Sequence, residues 1–243
     1  VHNEEVVKQI QHTGIKKINR LFKGKGKILL IRAHGCSKET LEKAKKSGYT
    51  IIDATCPMVK EIHKIAKKLE NNGYRVIIIG DKLHDEVLGI AGQLKSKAII
   101  IDKPENIPVE RIKKIKQAGI IVQSTQNFDN VKKILDVLHK YIKQIKFHNT
   151  ICNPTKMKQE EVRSMPLKND LMIIIGSKTS ANTKRIYELA KPLNKNSYWI
   201  NSAKEIRKNW LNKAKNIGIT AGASTPESTI HEVIHKIKTL CSA

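Results

Sequence analysis

Between residues 53 and 224 the sequence follows one pattern twice. Shifted by 96 residues, Cys56 falls on Cys152, VIIIG (76–80) on MIIIG (172–176), His84 on Ser180 and Glu86 on Asn182. After a three-residue insertion the shift becomes 99, so that IIIDKPENI (99–107) overlays YWINSAKEI, AGIIVQST (118–125) overlays NIGITAGAS, and Thr125 meets Ser224. A period this long marks a repeated supersecondary unit that sets the fold as a whole. Each copy offers one cysteine, a polar residue 28 positions later, and another at a second strand end.

The unit is α/β. Short apolar runs (KILLI, TIID, VIIIG, AIIID, GIIV, LMIIIG, SYWIN and GIGIT) alternate with segments of helical period at 37–46, 58–71, 129–141, 181–189 and 226–239. Apolar runs without alternation indicate parallel strands covered on both faces. The first fifty residues resemble the back half of a third copy: VHNEEV matches LHDEVL, setting His2 against His84, and GKILLIRAHG matches AGIIVQST, setting His34 near Thr125. The expected modules are therefore 1–52 (incomplete), 53–148 and 149–243. The first module's cysteine is expected 28 residues before His2, upstream of this sequence, which opens without a Met.

Strand ends of open α/β sheets are where ligands bind. Cys56 in DATCPMVKEIHK stands between a strand and a helix, where unpaired amides and the helix dipole favour a thiolate. Either cysteine alone could equally be a small buried hydrophobe. Three thiolates around a pseudo-threefold axis suit an iron–sulfur cube with one iron left open. Zinc, the main competitor, more often uses CxxC pairs, and there are none here. His2, His34, His84, Ser180, Asn182 and Ser224 form a donor set suited to a phosphate or diphosphate. Glu86 is the only carboxylate at the aligned positions, hence the candidate for proton delivery. His63, His139, His148, His231 and His235 read as surface or packing residues, and Ser224 in TAGASTPES also reads as a helix N-cap.

Composition excludes several classes. Four scattered cysteines do not make a disulfide framework, no apolar segment is of membrane length, and a reduced cytosolic protein is expected. The net charge of +24 is spread over nearly every helix and aromatics are only 4%, which disfavours nucleic acid as partner and fits a lysine-rich surface able to steer anions or an acidic electron carrier. No dinucleotide fingerprint or Walker loop follows any strand.

The ordered segments VHN, AHG, DATCP, HDEV, QST, IC, GSKTSAN and TAGAS resemble the 4-hydroxy-3-methylbut-2-enyl diphosphate reductase family of the non-mevalonate isoprenoid pathway, along the whole chain. The resemblance implies a trefoil-like arrangement of three α/β modules around a [4Fe-4S] cluster. It also implies reductive dehydroxylation of the allylic diphosphate to isopentenyl and dimethylallyl diphosphate, with reduced ferredoxin or flavodoxin as donor. Carried over, it makes Cys56 and Cys152 cluster ligands. His2, His34, His84, Ser180, Asn182 and Ser224 become diphosphate ligands, Glu86 the proton source, and Thr125 with Ser124 the groups that position the hydroxyl and relay protons. The sequence departs from the family at the absent first cysteine, at HDEV (Asp85) where HPEV is common, at Ala181 where a second serine is common, and at Ser124 for threonine. Two other outcomes are kept beside this one: a basic RNA-associated protein, and a catalytically dead remnant without a cluster.

Overall fold

The computed structural model describes residues 4–242. By its contacts the chain separates into two compact units, residues 17–152 and residues 153–242 with the N-terminal segment 4–16, which contains α1 (Glu4–His12).

The 17–152 unit carries two parallel sheets. The smaller pairs β1 (Ile28–Ile31) with β2 (Thr50–Asp53) across the crossover helix α2 (Lys38–Lys46). After α3 (Pro57–Asn71) the second sheet begins with β3 (Arg75–Ile79), followed by α4 (Asp85–Ala91), β4 (Ile99–Ile101), the short α5 (Val109–Ile112), β5 (Gln117–Val122), α6 (Phe128–Leu138) and β6 (Gln144–Phe147). Its strand order is β4-β3-β5-β6. Val76 and Ile78 pack with Ile62, Ala66 and Leu69 of α3 and Val87 and Ile90 of α4. Ile77 and Ile79 face Val131, Ile134 and Leu138 of α6. Both faces of β3 are thus covered, which is why VIII shows no alternation. Full burial of each such side chain stabilises by about 2 kcal/mol.

The other unit contains α7 (Asn153–Ser164), β7 (Leu171–Ile175), α8 (Ala181–Leu193), β8 (Ser197–Ile200), α9 (Lys208–Leu211), β9 (Ile217–Ala221) and α10 (Glu227–Cys241), with strand order β8-β7-β9. Met172 and Ile174 pack with Val162 of α7 and Ile186 and Ala190 of α8, while Ile173 and Ile175 meet Val233 and Ile237 of α10.

The repeat in the sequence is a repeat of structure. With the 96-residue shift, the first residues of α3, β3 and α4 land on the first residues of α7, β7 and α8; with 99, α5 lands on α9 and the start of α6 on the start of α10. Register matches as well: Ile77 pairs with Ile99 and Ile120, and the equivalent Ile173 pairs with Tyr198 and Ile219. The expected α/β class with parallel sheets is what the chain forms. Several elements went unrecognised in the sequence, β6 and α7 among them. β6 reads QIKF with only two apolar residues on an edge. The buried positions of α7 are Thr155, Gln159 and Val162, a helical spacing filled mostly by polar side chains, so its periodicity is invisible to a hydrophobicity count.

β5 and β9, the strands equivalent to β1, each pair with a central strand, whereas β1 pairs with β2 alone among the described residues. Ile28, Leu30 and Ile52 are correspondingly exposed.

Candidate active site

Both cysteines stand immediately before a helix, α3 or α7. The turn leading to Cys56 is built locally: the Asp53 carboxylate accepts from the Thr55 amide at 3.0 Å and from its hydroxyl, and pairs with Lys60 at 2.8 Å. Burial pushes the Asp53 carboxyl up, but the bonds from Lys60 and Thr55 outweigh it and hold the group at about 2. Pro57 then occupies the first helical position, where its missing N–H has no cost. The Cys56 side chain makes no capping bond and is left available.

The two cysteines share an anchor. The Cys56 amide donates to the Ala33 carbonyl at 3.0 Å, and the Cys152 amide to the Ser124 carbonyl, also at 3.0 Å. Ala33 precedes His34, and Ser124 precedes Thr125, the pair that the sequence overlay had set side by side. Each thiol is thereby tied to the loop after a parallel strand, and each is half-buried and free of disulfide. As soft donors in matching positions they fit an iron–sulfur centre. Among the described residues no group of three His, Cys, Asp or Glu side chains is placed to hold a metal ion.

Cys36 differs. It lies in the loop after β1, and burial, with the Asp53 charge adding to it, pushes its thiol up. That favours the protonated form, the wrong state for a ligand.

Around the cysteine-bearing loops of the 17–152 unit are the histidines and the carboxyl group expected from the sequence. His84 caps α4, its Nδ1 accepting from the Glu86 amide at 3.2 Å, which leaves Nε2 to carry the ring proton. The His34 and His84 rings meet edge to face with centroids 5.5 Å apart. Glu86 is 2% exposed; its two oxygens accept from the Ser124 amide at 2.6 Å and the Ser124 hydroxyl at 2.7 Å. Burial raises the Glu86 carboxyl above its ordinary value, and the Ser124 bonds only partly oppose this. A carboxyl group whose proton is held more tightly than usual is suited to serve as a general acid.

The sequence did not single out Gln123. It is 1% exposed; its Oε1 accepts from the Asp81 amide at 2.9 Å and its Nε2 donates to the Thr125 hydroxyl at 3.1 Å. It therefore orients Thr125 while bracing the turn before His84. The equivalent residue of the second copy is Gly222, so the repeat could not reveal it.

His63, expected as a surface or packing residue, is 9% exposed, and its Nε2 has no hydrogen-bond partner. Its ring lies against Gly35, whose φ of +73° suits glycine and where an added Cβ would stand 2.9 Å from the ring. Burial, and to a lesser degree Lys67, lowers His63 to about 4, with Asp53 opposing. Between its ordinary value and about 4 the unfolded chain binds a proton that the folded chain refuses, so this stability is complete above roughly pH 6.5 and is lost as pH falls through about 4. Thermal melting should accordingly fall on acidification, and His63→Leu should flatten that acid arm by about 3–5 °C. An unchanged acid arm in the variant would remove His63 as its source.

In the other unit, Ser180 caps α8 by accepting from the Thr183 amide at 3.3 Å. Asn182 is 8% exposed, and its Nδ2 has no hydrogen-bond partner; the buried hydroxyls of Thr183 and Thr220 also lack one. Of these, Asn182 and Thr183 stand in the first turn of α8, where unpaired donors suit an anion. Ser224 lies in the loop between β9 and α10, but the N-cap of α10 is Pro226, so the N-cap reading of Ser224 does not hold. Thr225, with its hydroxyl on the Ile175 carbonyl at 3.1 Å, ties this loop to the end of the neighbouring strand β7.

Thus the 17–152 unit brings together Cys56, Cys152, His34, His84, Glu86, Ser124 and Thr125, and the strand ends of the other unit carry Ser180, Asn182 and Ser224. His2 lies outside the described residues.

The sequence profile of the LytB protein family matches residues 1–238. The chain belongs to the LytB family. It is 38% identical over 244 residues to the 4-hydroxy-3-methylbut-2-enyl diphosphate reductase of Aquifex aeolicus, covering 99% of this chain and 84% of that protein. The protein of the same name from Geobacter metallireducens is likewise 38% identical, over 100% of this chain and 86% of the relative. A solved structure of (E)-4-hydroxy-3-methyl-but-2-enyl diphosphate reductase matches with TM-score 0.69 at 38% identity, covering 98% of this chain and 85% of that one. The E-1-hydroxy-2-methyl-but-2-enyl-4-diphosphate reductase of Plasmodium falciparum matches with TM-score 0.86 at 28% identity, over 97% of this chain and 75% of that one. This LytB chain is an enzyme of a reductase family, and its fold is that of the solved LytB structures. No helix among its described residues is long and apolar enough to cross a membrane.

Proposed function

We propose that this LytB protein reduces 4-hydroxy-3-methylbut-2-enyl diphosphate to isopentenyl and dimethylallyl diphosphate. Two electrons and two protons are consumed: the hydroxyl leaves as water and a C–H bond forms on the allylic chain. Cys56 and Cys152 would hold part of a [4Fe-4S] cluster, which would supply the electrons that reduced ferredoxin or flavodoxin delivers. None of the four cysteines forms a disulfide, which fits the reducing cytosol. On this reading the chain is organised as the modules 1–52, 53–148 and 149–243.

The single observation behind this proposal is the Glu86 carboxyl, buried, raised and fixed by both Ser124 donors two residues after His84. Glu86 delivers protons. Its hydrogen bond to the Ser124 hydroxyl gives the relay a second oxygen, and Thr125, oriented by Gln123, positions the substrate hydroxyl. His34 and His84 donate to the diphosphate, together with His2, Ser180, Asn182 and Ser224; the orphaned Asn182 amide would find its acceptor there.

The test is anaerobic reconstitution with iron and sulfide, followed by iron and labile-sulfide analysis, a visible spectrum, and turnover with a chemical reductant. Bound iron and sulfide with a spectrum that changes on adding the allylic diphosphate, and product formation, are expected. A colourless protein that retains no iron and leaves the substrate untouched would sink the proposal.

A further inference from the structure

Asp85 puts a carboxylate directly after His84, on the first turn of α4, beside groups that the proposed function has binding an anion. The structure supplies its counter-charge from another sheet: Arg32 Nη2 lies 2.9 Å from Asp85 Oδ2. Arg32 is two residues before His34 in the loop after β1, so one ion pair joins the chain beside His34 to the chain beside His84. The same two segments are in register elsewhere. The Lys38 amide donates to the Gly92 carbonyl at 3.1 Å, and Gln93 Nε2 to the Cys36 carbonyl at 2.8 Å. Gly89 of α4 approaches the His34 carbonyl so closely that an added Cβ would stand 3.2 Å from it.

We infer that Arg32 is a charge-compensating and positioning residue for the anion site: its pairing with Asp85 cancels a negative charge beside the His34–His84 ring pair and fixes the loop of one histidine against the helix of the other. This rests on the diphosphate reading of the site. Both side chains are partly exposed, 45% for Arg32 and 35% for Asp85, so the pair adds little to folding stability. Its effect falls on the anion. Without Arg32 one positive charge is lost beside Asp85, whose carboxylate then weighs more heavily against an incoming diphosphate; without both, the added repulsion is gone and only the bracing is lost. The two substitutions should therefore couple with opposite signs.

The measurement is calorimetric titration of the full chain with inorganic pyrophosphate at low ionic strength, on the parent, Arg32→Ala, Asp85→Ala and the double variant. Lys113→Ala serves as a control for the loss of one positive charge; Lys113 follows α5 and precedes β5, at the opposite end of the sheet from the His84 loop. Arg32→Ala is expected to weaken binding roughly tenfold. The double variant should return to within about threefold of the parent, and Asp85→Ala should bind as well as the parent or better. Melting temperatures should hardly differ across the set. Equal weakening by Arg32→Ala and Lys113→Ala, or no recovery in the double variant, would overturn the inference while leaving the diphosphate site standing. No binding by the parent chain would overturn the diphosphate reading, and this inference with it.

Discussion

Glu86→Gln is expected to lower turnover of the reconstituted protein by about 10²–10⁴-fold while substrate binding and iron content stay at parental levels. The reason is geometric. A glutamine amide has the shape of the carboxyl and can satisfy both Ser124 groups, its oxygen accepting from the amide N–H and its nitrogen donating to the hydroxyl. What it cannot do is give up and regain a proton. Burial raises the Glu86 carboxyl, so its ionisation costs folding stability, and that cost grows as pH rises above the ordinary glutamate value. The glutamine variant should therefore melt at the parental temperature or above it at pH 8. Lost activity with unimpaired melting separates a proton carrier from a packing residue. Unchanged steady-state turnover would take Glu86 out of proton delivery.

Cys152→Ser and Cys56→Ser should each strip the protein of most of its iron and colour after reconstitution, weakening retention by roughly tenfold or more. A hydroxyl is a hard and weakly acidic donor, a poor substitute for a thiolate on iron. The protein fold should survive, because what positions both cysteines is their backbone amides, bonded to Ala33 and Ser124, and these are untouched by the substitution. Cys241→Ser, near the end of α10 and exposed, should keep the parental iron content. Full iron and sulfide in Cys152→Ser would remove it from the ligand set, and equal loss in Cys241→Ser would mean that iron is held adventitiously by any thiol.

Much of this was legible in the residues because parallel strands covered on both faces must be apolar without a break, and such runs recur here with fixed spacing. In the structure the 96-residue shift carries α3 onto α7 and β3 onto β7 to the residue, although α7 shows no apolar stripe of its own. It also predicted which strand ends would carry polar side chains. It did not reveal Gln123, because a residue that serves one copy and is glycine in the other leaves no pattern to find. Nor could it reveal that His63 is buried against Gly35, since that contact forms between a helix and a loop 28 residues earlier. Ser224 shows the limit from the other side: its small-residue loop looked like a helix cap, and Pro226 took that place.

Periodicity, spacing and local turn chemistry act within a few tens of residues, so the sequence by itself determined the α/β class, the two-fold repeat of its parallel strands and the position of Cys56 between a strand and a helix. Only the tertiary structure decided the state of the site. Whether Glu86 is an ordinary surface carboxylate or a buried acid depends on Ser124, 38 positions away, and on the desolvation that packing imposes. The positive charge set against Asp85 comes from Arg32, which arrives from another sheet. Protonation and charge compensation are properties of surroundings, and the surroundings exist only after the chain has folded.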